Sequence, residues 1–241
     1  MTKLMIGSIL AICLVVPAAF AQTVNAGTST THIFPQGVDG RFPDGTSYQS
    51  LIWIDNFGTS TANCTFTPLG FPASRFFESS FDIATNASTI KLTRDTDSFA
   101  QGPVILNCSQ PVLASLTYGF FSASGAVMGL ATVFSARPVT ITTLQVQQDF
   151  GRFGVALANT SNVSVNLQLR FNGSDGRFVT RMVTIAPNSS LVGFVDQLLD
   201  LSGMTSRGVF IASTAQSSTP FYVTGLMFVG PVFTTLVPAG A

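Results

Sequence analysis

The chain has 241 residues, of which 46% are hydrophobic and only 9% charged, and its eleven basic residues are balanced by eleven acidic ones. A surface with so few charges and no net field offers nothing to attract nucleic acid or anionic lipid, so both are set aside as partners. Low charge would also fit a disordered chain, but 22 phenylalanines and an aromatic, β-branched bias supply material for cores and favour strands.

In chain order, the first 21 residues combine Lys3, an apolar run from Leu4 to Val16, Pro17, and the small-residue pattern Ala19-Phe20-Ala21. That layout predicts a signal peptide at 1–21, cleaved before Gln22. The run is too short to span a bilayer, and Ile12 before Cys13 does not suit lipidation. The expected location is outside the cytoplasm: secreted, on the cell surface or in the periplasm, with no membrane insertion after cleavage. Residues 22–31 carry no pattern and are expected to form a flexible arm, with pairing to the sheet edge of a neighbouring copy as a more specific variant.

Cleavage leaves two cysteines, Cys64 and Cys108, each in a strand-like run and in a compartment where disulfides persist. A bridge would close a loop of about 45 residues and stabilise the fold by roughly 4 kcal/mol. Two thiols and the lone histidine, His32, fall short of a four-ligand zinc site, so a disulfide is expected and no metal or other cofactor.

The segments beginning at Leu51 and Val155 then run in step. Leu51 to Asn56 with the Cys64 strand corresponds to Ala156-Leu157-Ala158-Asn159 with Leu167 to Gly173. Further matches link Ile83 to Ser88 with Ile185 to Ser190, Val104 to Cys108 with Val209 to Ser213, and Ala131 to Ala136 with Thr234 to Ala239. This order predicts a tandem duplication, with module 1 at 32–140 and module 2 at 141–241. Each copy offers short alternating runs separated by turns, so the expected fold is all-β, two tandem Ig-like antiparallel β-sandwich modules. In the second copy strands are expected near 153–158, 163–171, 178–186, 190–195, 207–213, 220–228 and 232–237, with one helical turn at 196–201. The linker is placed in 137–148, where 139–146 alternates as a strand would. The positions matching Cys64 and Cys108 are Leu167 and Ser213, so only module 1 is stapled.

From Phe34-Pro35-Gln36 and Asp39-Gly40-Arg41-Phe42-Pro43-Asp44-Gly45, across the two cysteine strands, to Phe233-Thr234-Thr235-Leu236-Val237-Pro238, the chain resembles a family of secreted bacterial repeat proteins of the acidobacterial type. The resemblance covers nearly the whole mature chain. It implies tandem β-sandwich modules and a bacterial source, and no activity.

Candidate chemistry is sparse. Asp39, Asp44 and Asp55 could supply oxygen ligands to calcium, although Asp-Gly pairs are also turn chemistry and the spacing fits no EF-hand loop. Asp95 with Asp97, and Asp196 with Asp200, could act as paired carboxylates in glycoside cleavage, or else cap loops, with Arg94 as the surface partner of Asp95. His32 sits in an extended threonine-rich segment where nothing is expected to hold it, and no nucleophile elbow, zinc helix or phosphate loop occurs, so no catalytic residue is assigned. The sequons at Asn63, Asn86, Asn107, Asn159, Asn162, Asn172 and Asn188 read as turn and solvated-face residues. Tyr48, Trp53 and Tyr118, with Phe76 and Phe77, are candidates for stacking on a sugar, Trp53 being expected in the core. The expected function is non-enzymatic: a structural, adhesive or extracellular-assembly role. Carbohydrate binding is the alternative and glycoside hydrolysis third. The partners are then the protein itself, other surface proteins or extracellular glycans.

Overall fold

The computed structural model of the chain describes residues 27–215, 219–236 and 238–240. The expected signal peptide and residues 22–26 of the arm lie outside them.

Strands β1 (Ser29–Arg41), β2 (Ser47–Asn56), β3 (Ala62–Pro68), β4 (Ser80–Ile83), β5 (Ala87–Leu92), β6 (Ala100–Phe121) and β7 (Val127–Phe134) form one seven-stranded sheet, antiparallel throughout. The expectation of two separate sheets here is corrected by β6, whose 22 residues belong to both faces. Its first half pairs with β1 and β3, and from Leu113 onward it pairs with β2 and then β7. The end of β1 also pairs with the start of β2, so the sheet nearly closes on itself. Even-numbered side chains of β6, Val104 through Leu106, Cys108, Val112, Ala114, Leu116 and Tyr118, face the core without a change of phase. Pro111, which lacks an N–H, sits exposed where the partners change over, a place where a proline costs the ladder little.

Cys64 and Cys108 lie directly opposite each other on β3 and β6 and form a disulfide, with their Cα atoms 4.1 Å apart. Because the two strands are neighbours, the bridge staples one sheet, whereas the immunoglobulin bridge spans two.

The second half has β8 (Ile141–Gln147), β9 (Arg152–Asn159), β10 (Val165–Gly173), β11 (Phe178–Ile185), β12 (Ser189–Phe194), the short helix α1 (Val195–Leu198), β13 (Arg207–Thr214), β14 (Tyr222–Val229), β15 (Val232–Leu236) and β16 (Ala239–Gly240). These make a five-stranded sheet, β11-β10-β13-β8-β16, and a four-stranded sheet, β12-β9-β14-β15. The seven strands expected here coincide with β9 to β15 within two residues, and the alternating linker segment is β8. The alternation Val165, Leu167, Leu169, Phe171 is buried on one side, as the period-2 pattern requires. Among the described residues no helix is long and apolar enough to cross a membrane.

The pairing scheme of the first half recurs in the second. β3 lies between β4 and β6 as β10 lies between β11 and β13, and β2 lies between β5 and β6 as β9 lies between β12 and β14. Where β6 is continuous, β13 and β14 are separate strands. Register also refines the expected counterpart of Cys108: Leu167 stands opposite Thr214, and Ser213 opposite Gln168.

Two expectations about the N-terminal segment are corrected. Ser29 and Thr31 belong to β1 and pair with β6 of the same chain, at Val112 and Asn107. His32 is fully buried and firmly held. Its Nε2 lies 2.8 Å from the Val112 carbonyl and 3.2 Å from that of Ser29, and its Nδ1 lies 3.1 Å from the Ser135 hydroxyl. Two carbonyls around Nε2 require the proton there, leaving Nδ1 to accept from Ser135.

At this point β7 is tied to β1, since the Ala136 N–H also donates to the Ile33 carbonyl. Further along, Leu226 of β14 and Phe233 of β15 join the core of the first sheet. The two strands come so close to β7 that a Cβ on Gly129 would lie 2.9 Å from the Pro231 carbonyl oxygen and 3.0 Å from the Phe233 ring. Thr235 donates its hydroxyl to the Thr132 carbonyl across the same junction. The outer face of the four-stranded sheet is thus packed against the first half, which explains the glycine and alanines of β9 on that face, Gly154, Ala156 and Ala158.

Candidate functional site

Alternation along β2 sends Tyr48 inward and Trp53 outward, so the aromatic candidates divide between two places. The first is a cleft of about 230 Å³ at the junction of the two halves, lined by Tyr48, Phe99 and Tyr118 from one side and Phe194, Phe228 and Phe233 from the other. Their rings run as a chain: Tyr48 lies 6.4 Å from Phe99 and 6.1 Å from Phe233, Phe233 stacks on Phe228 at 5.4 Å, and Phe228 meets Phe194 edge-on at 5.2 Å. The Arg152 guanidinium caps Phe194 at 3.8 Å, a cation over a ring face. The polar groups of the wall are the amides of Gln36, Gln101 and Gln197, and Gln36 is already bonded to Gln101 at 2.8 Å. The Tyr118 hydroxyl donates to the Gln36 carbonyl at 2.8 Å, and burial pushes its pKa far above the ordinary tyrosine value. Burial also raises the pKa of Tyr48. Neither phenol is poised for proton transfer near neutrality. Stacking and amide hydrogen bonding are what this cleft offers.

The second place is the outer face of β5-β2-β6-β7. Ladder pairing sets Ile90, Trp53, Ser115 and Phe134 in one row across the four strands. Leu92 stands beside this row, and Leu130 lies further along β7. Trp53 is 46% exposed, which corrects its expected place in the core, and Ile90, Leu92, Leu130 and Phe134 are exposed with it. Large apolar side chains on three of these strands, with Ser115 of β6 between Trp53 and Phe134, make the kind of patch that marks an interaction surface. Sequence reasoning missed it because Trp53 and Ile90 are far apart in the chain. Only the register of β2 with β5 makes them neighbours.

The carboxylates are not brought together. Asp39 is fully buried and saturated, accepting from the Asp95 N–H at 2.8 Å, the Thr96 hydroxyl at 2.7 Å and the Arg75 guanidinium at 3.1 Å. Asp44 bends a turn, where hydrogen bonds from the Thr46 hydroxyl and N–H hold its pKa below the usual carboxylate value. Asp55 follows Gln49, the register partner of Asp39, by six strand residues, hence about 20 Å away. The three cannot share a calcium ion. Among the described residues no group of three or more histidine, cysteine or carboxylate side chains is placed to hold a metal.

Asp95 pairs with Arg41 at 2.6 Å, and Arg94 instead donates to the carbonyls of Phe76 and Phe77, which corrects the expected Arg94–Asp95 pair. Asp196 is held by Arg152 at 2.9 Å, and Asp200 accepts from the Ser202 N–H. Asp97 is exposed. Of the remaining aromatics, Phe76 is buried and Phe77 exposed under Arg94.

Among the sequons, Asn86 and Asn188 adopt φ of 54° and 51° in turns. Asn159, expected as a turn or solvated-face residue, does lead the turn after β9 but is fully buried. Its Nδ2 donates to the carbonyls of Val163, Ile185 and Ala186, and its Oδ1 accepts from the Ser161 N–H. Asn56 makes the matching set with Ser60, Ile83, Ala84 and Gly58.

Comparison with protein-family models, with curated proteins and with solved structures finds no match to this chain.

Proposed function

We propose that this is a secreted or cell-surface protein without enzymatic activity, built as a tandem duplication of an Ig-like β-sandwich and serving a structural, adhesive or assembly role outside the cell. The duplication is supported by the recurrent pairing scheme and by the paired asparagine cages. Gly102 and Gly208 add to this, since a Cβ at either would collide with a backbone carbonyl, of Leu69 or Asn172, at equivalent places. The observation that carries the role is the open apolar face centred on Trp53. Carbohydrate binding is the second reading, favoured by the exposure of that same indole ring, onto which a sugar could stack. Glycoside hydrolysis has little support: Asp95 and Asp196 are engaged with arginines, and the cleft walls are aromatic, aliphatic, glycine and glutamine.

Trp53 is the single tryptophan of the chain, so its fluorescence reports directly on this face. The assembly reading expects its emission to shift to the blue as protein concentration rises, with a glycan array on the purified protein remaining blank. A sugar that binds on the array and quenches Trp53 in titration would replace it with the second reading.

A further inference from the structure

We infer that the chain associates head to tail with further copies of itself, the Trp53 face of one copy seating against the exposed surface around Phe150, Val229 and Val232 in the second half of the next. The inference rests on the assembly and duplication readings above, and its argument is the junction already inside the molecule.

Register equates the two outer faces. Trp53 sits between Ile90 and Ser115 as Ala156 sits between Val192 and Thr224, and Leu130 stands opposite Gly119 as Phe233 stands opposite Phe228. In the second half this face is docked against the first half. In the first half the equivalent face is open.

The receiving surface has an open counterpart as well. Gly129, Tyr118 and Ala131 of the first half are buried under the docked sheet. Around the corresponding site of the second half, Phe150, Val229 and Val232 are exposed, and Val229 and Val232 are register partners.

Bulk is exchanged between the two pairs of surfaces. At the internal junction the receiver carries Tyr48 and Phe99, and the docked strand β9 carries Gly154 and Ala156. At the open pair the receiving positions are Gly151 and Thr205, and the face presents Leu51 and Trp53. Large meets small at these positions in both pairs, whereas Gly129 of the internal receiver, which admits Pro231 and Phe233, is matched by Val232 in the open one, so the second contact must be looser there. A contact between two different surfaces does not close on itself as a two-fold dimer does, so it builds chains or rings.

Sedimentation velocity over a concentration series of the purified protein tests this, with Trp53→Glu and Val232→Glu, both at exposed positions and each checked for an unchanged melting temperature. Expected are species beyond the dimer for the wild type and loss of association for either variant alone. An equimolar mixture should form a dimer and stop there, because each variant retains the surface that the other has lost. If Trp53→Glu abolishes association while Val232→Glu does not, two Trp53 faces meet each other, and head-to-tail packing is overturned while the assembly reading stands. A wild type that stays monomeric with unshifted Trp53 emission overturns both.

Discussion

The two buried asparagines show how much one side chain can hold. Asn56 ties the end of β2 to three carbonyls and one N–H from separate loops, and the Ile83 carbonyl among them is buried. Asn56→Ala strands those groups and is expected to cost about 2–3 kcal/mol in denaturant unfolding, with Asn159→Ala similar. Asp at either position should be worse than Ala, since a carboxylate would face carbonyls with nothing to donate. His32 supplies a different test. Desolvation by burial lowers its pKa from the ordinary 6.5, against the smaller opposing pull of the Val112 and Ser29 carbonyls. Its native form therefore stays neutral below pH 6.5 while the unfolded chain takes up a proton, so stability is complete above 6.5 and is lost as pH falls beneath it. Carboxylates such as Asp44, with ordinary values near 3.8, contribute only at lower pH. The melting temperature should fall as the pH drops below 6.5, and His32→Gln should flatten that slope while lowering stability at neutral pH.

At the level of strands, the disulfide and β6 are one device. The bridge fixes β3 to β6 just before β6 changes partners around Pro111. Replacing Cys64 and Cys108 together by alanine is expected to lower stability by up to about 4 kcal/mol, read by chemical unfolding, without altering the far-ultraviolet strand signal. The strands of the second half and the disulfide partners were legible in the sequence because alternation, and the setting of both cysteines in strand-like runs, are local signals. β6 was harder. Its inward phase runs unbroken from Val104 to Tyr118, but Pro111 reads locally as a strand end, and only the change of neighbours shows why a proline is tolerated there. Trp53 was misplaced for a related reason. A large aromatic in mid-strand reads as core, and alternation alone does not say which face is covered. The burial of His32 depended on Val112 and Ser135, each distant in the chain, and no local pattern announced them.

For the molecule as a whole, the junction decides whether the halves unfold together. Leu226 and Phe233 come from the second half yet lie in the first core, so the first core is completed only when the second half is folded, whereas the second core draws on second-half residues alone. Junctions of this kind couple folding when they are large and apolar. The native protein is therefore expected to melt in one calorimetric transition. Phe233→Ala removes a buried ring and should cost about 3–4 kcal/mol, taken from the coupling as well as from the first core. Its melt should separate into two transitions. The disulfide then identifies them, because Cys64 and Cys108 both lie in the first half. Reduction should lower the single transition of the native protein, but in Phe233→Ala it should shift one transition and leave the other in place. If Phe233→Ala still melts once, and reduction shifts that melt as it does the native one, the coupling does not run through Phe233, and the Thr235–Thr132 bond and the remaining apolar contacts of β14 must carry it.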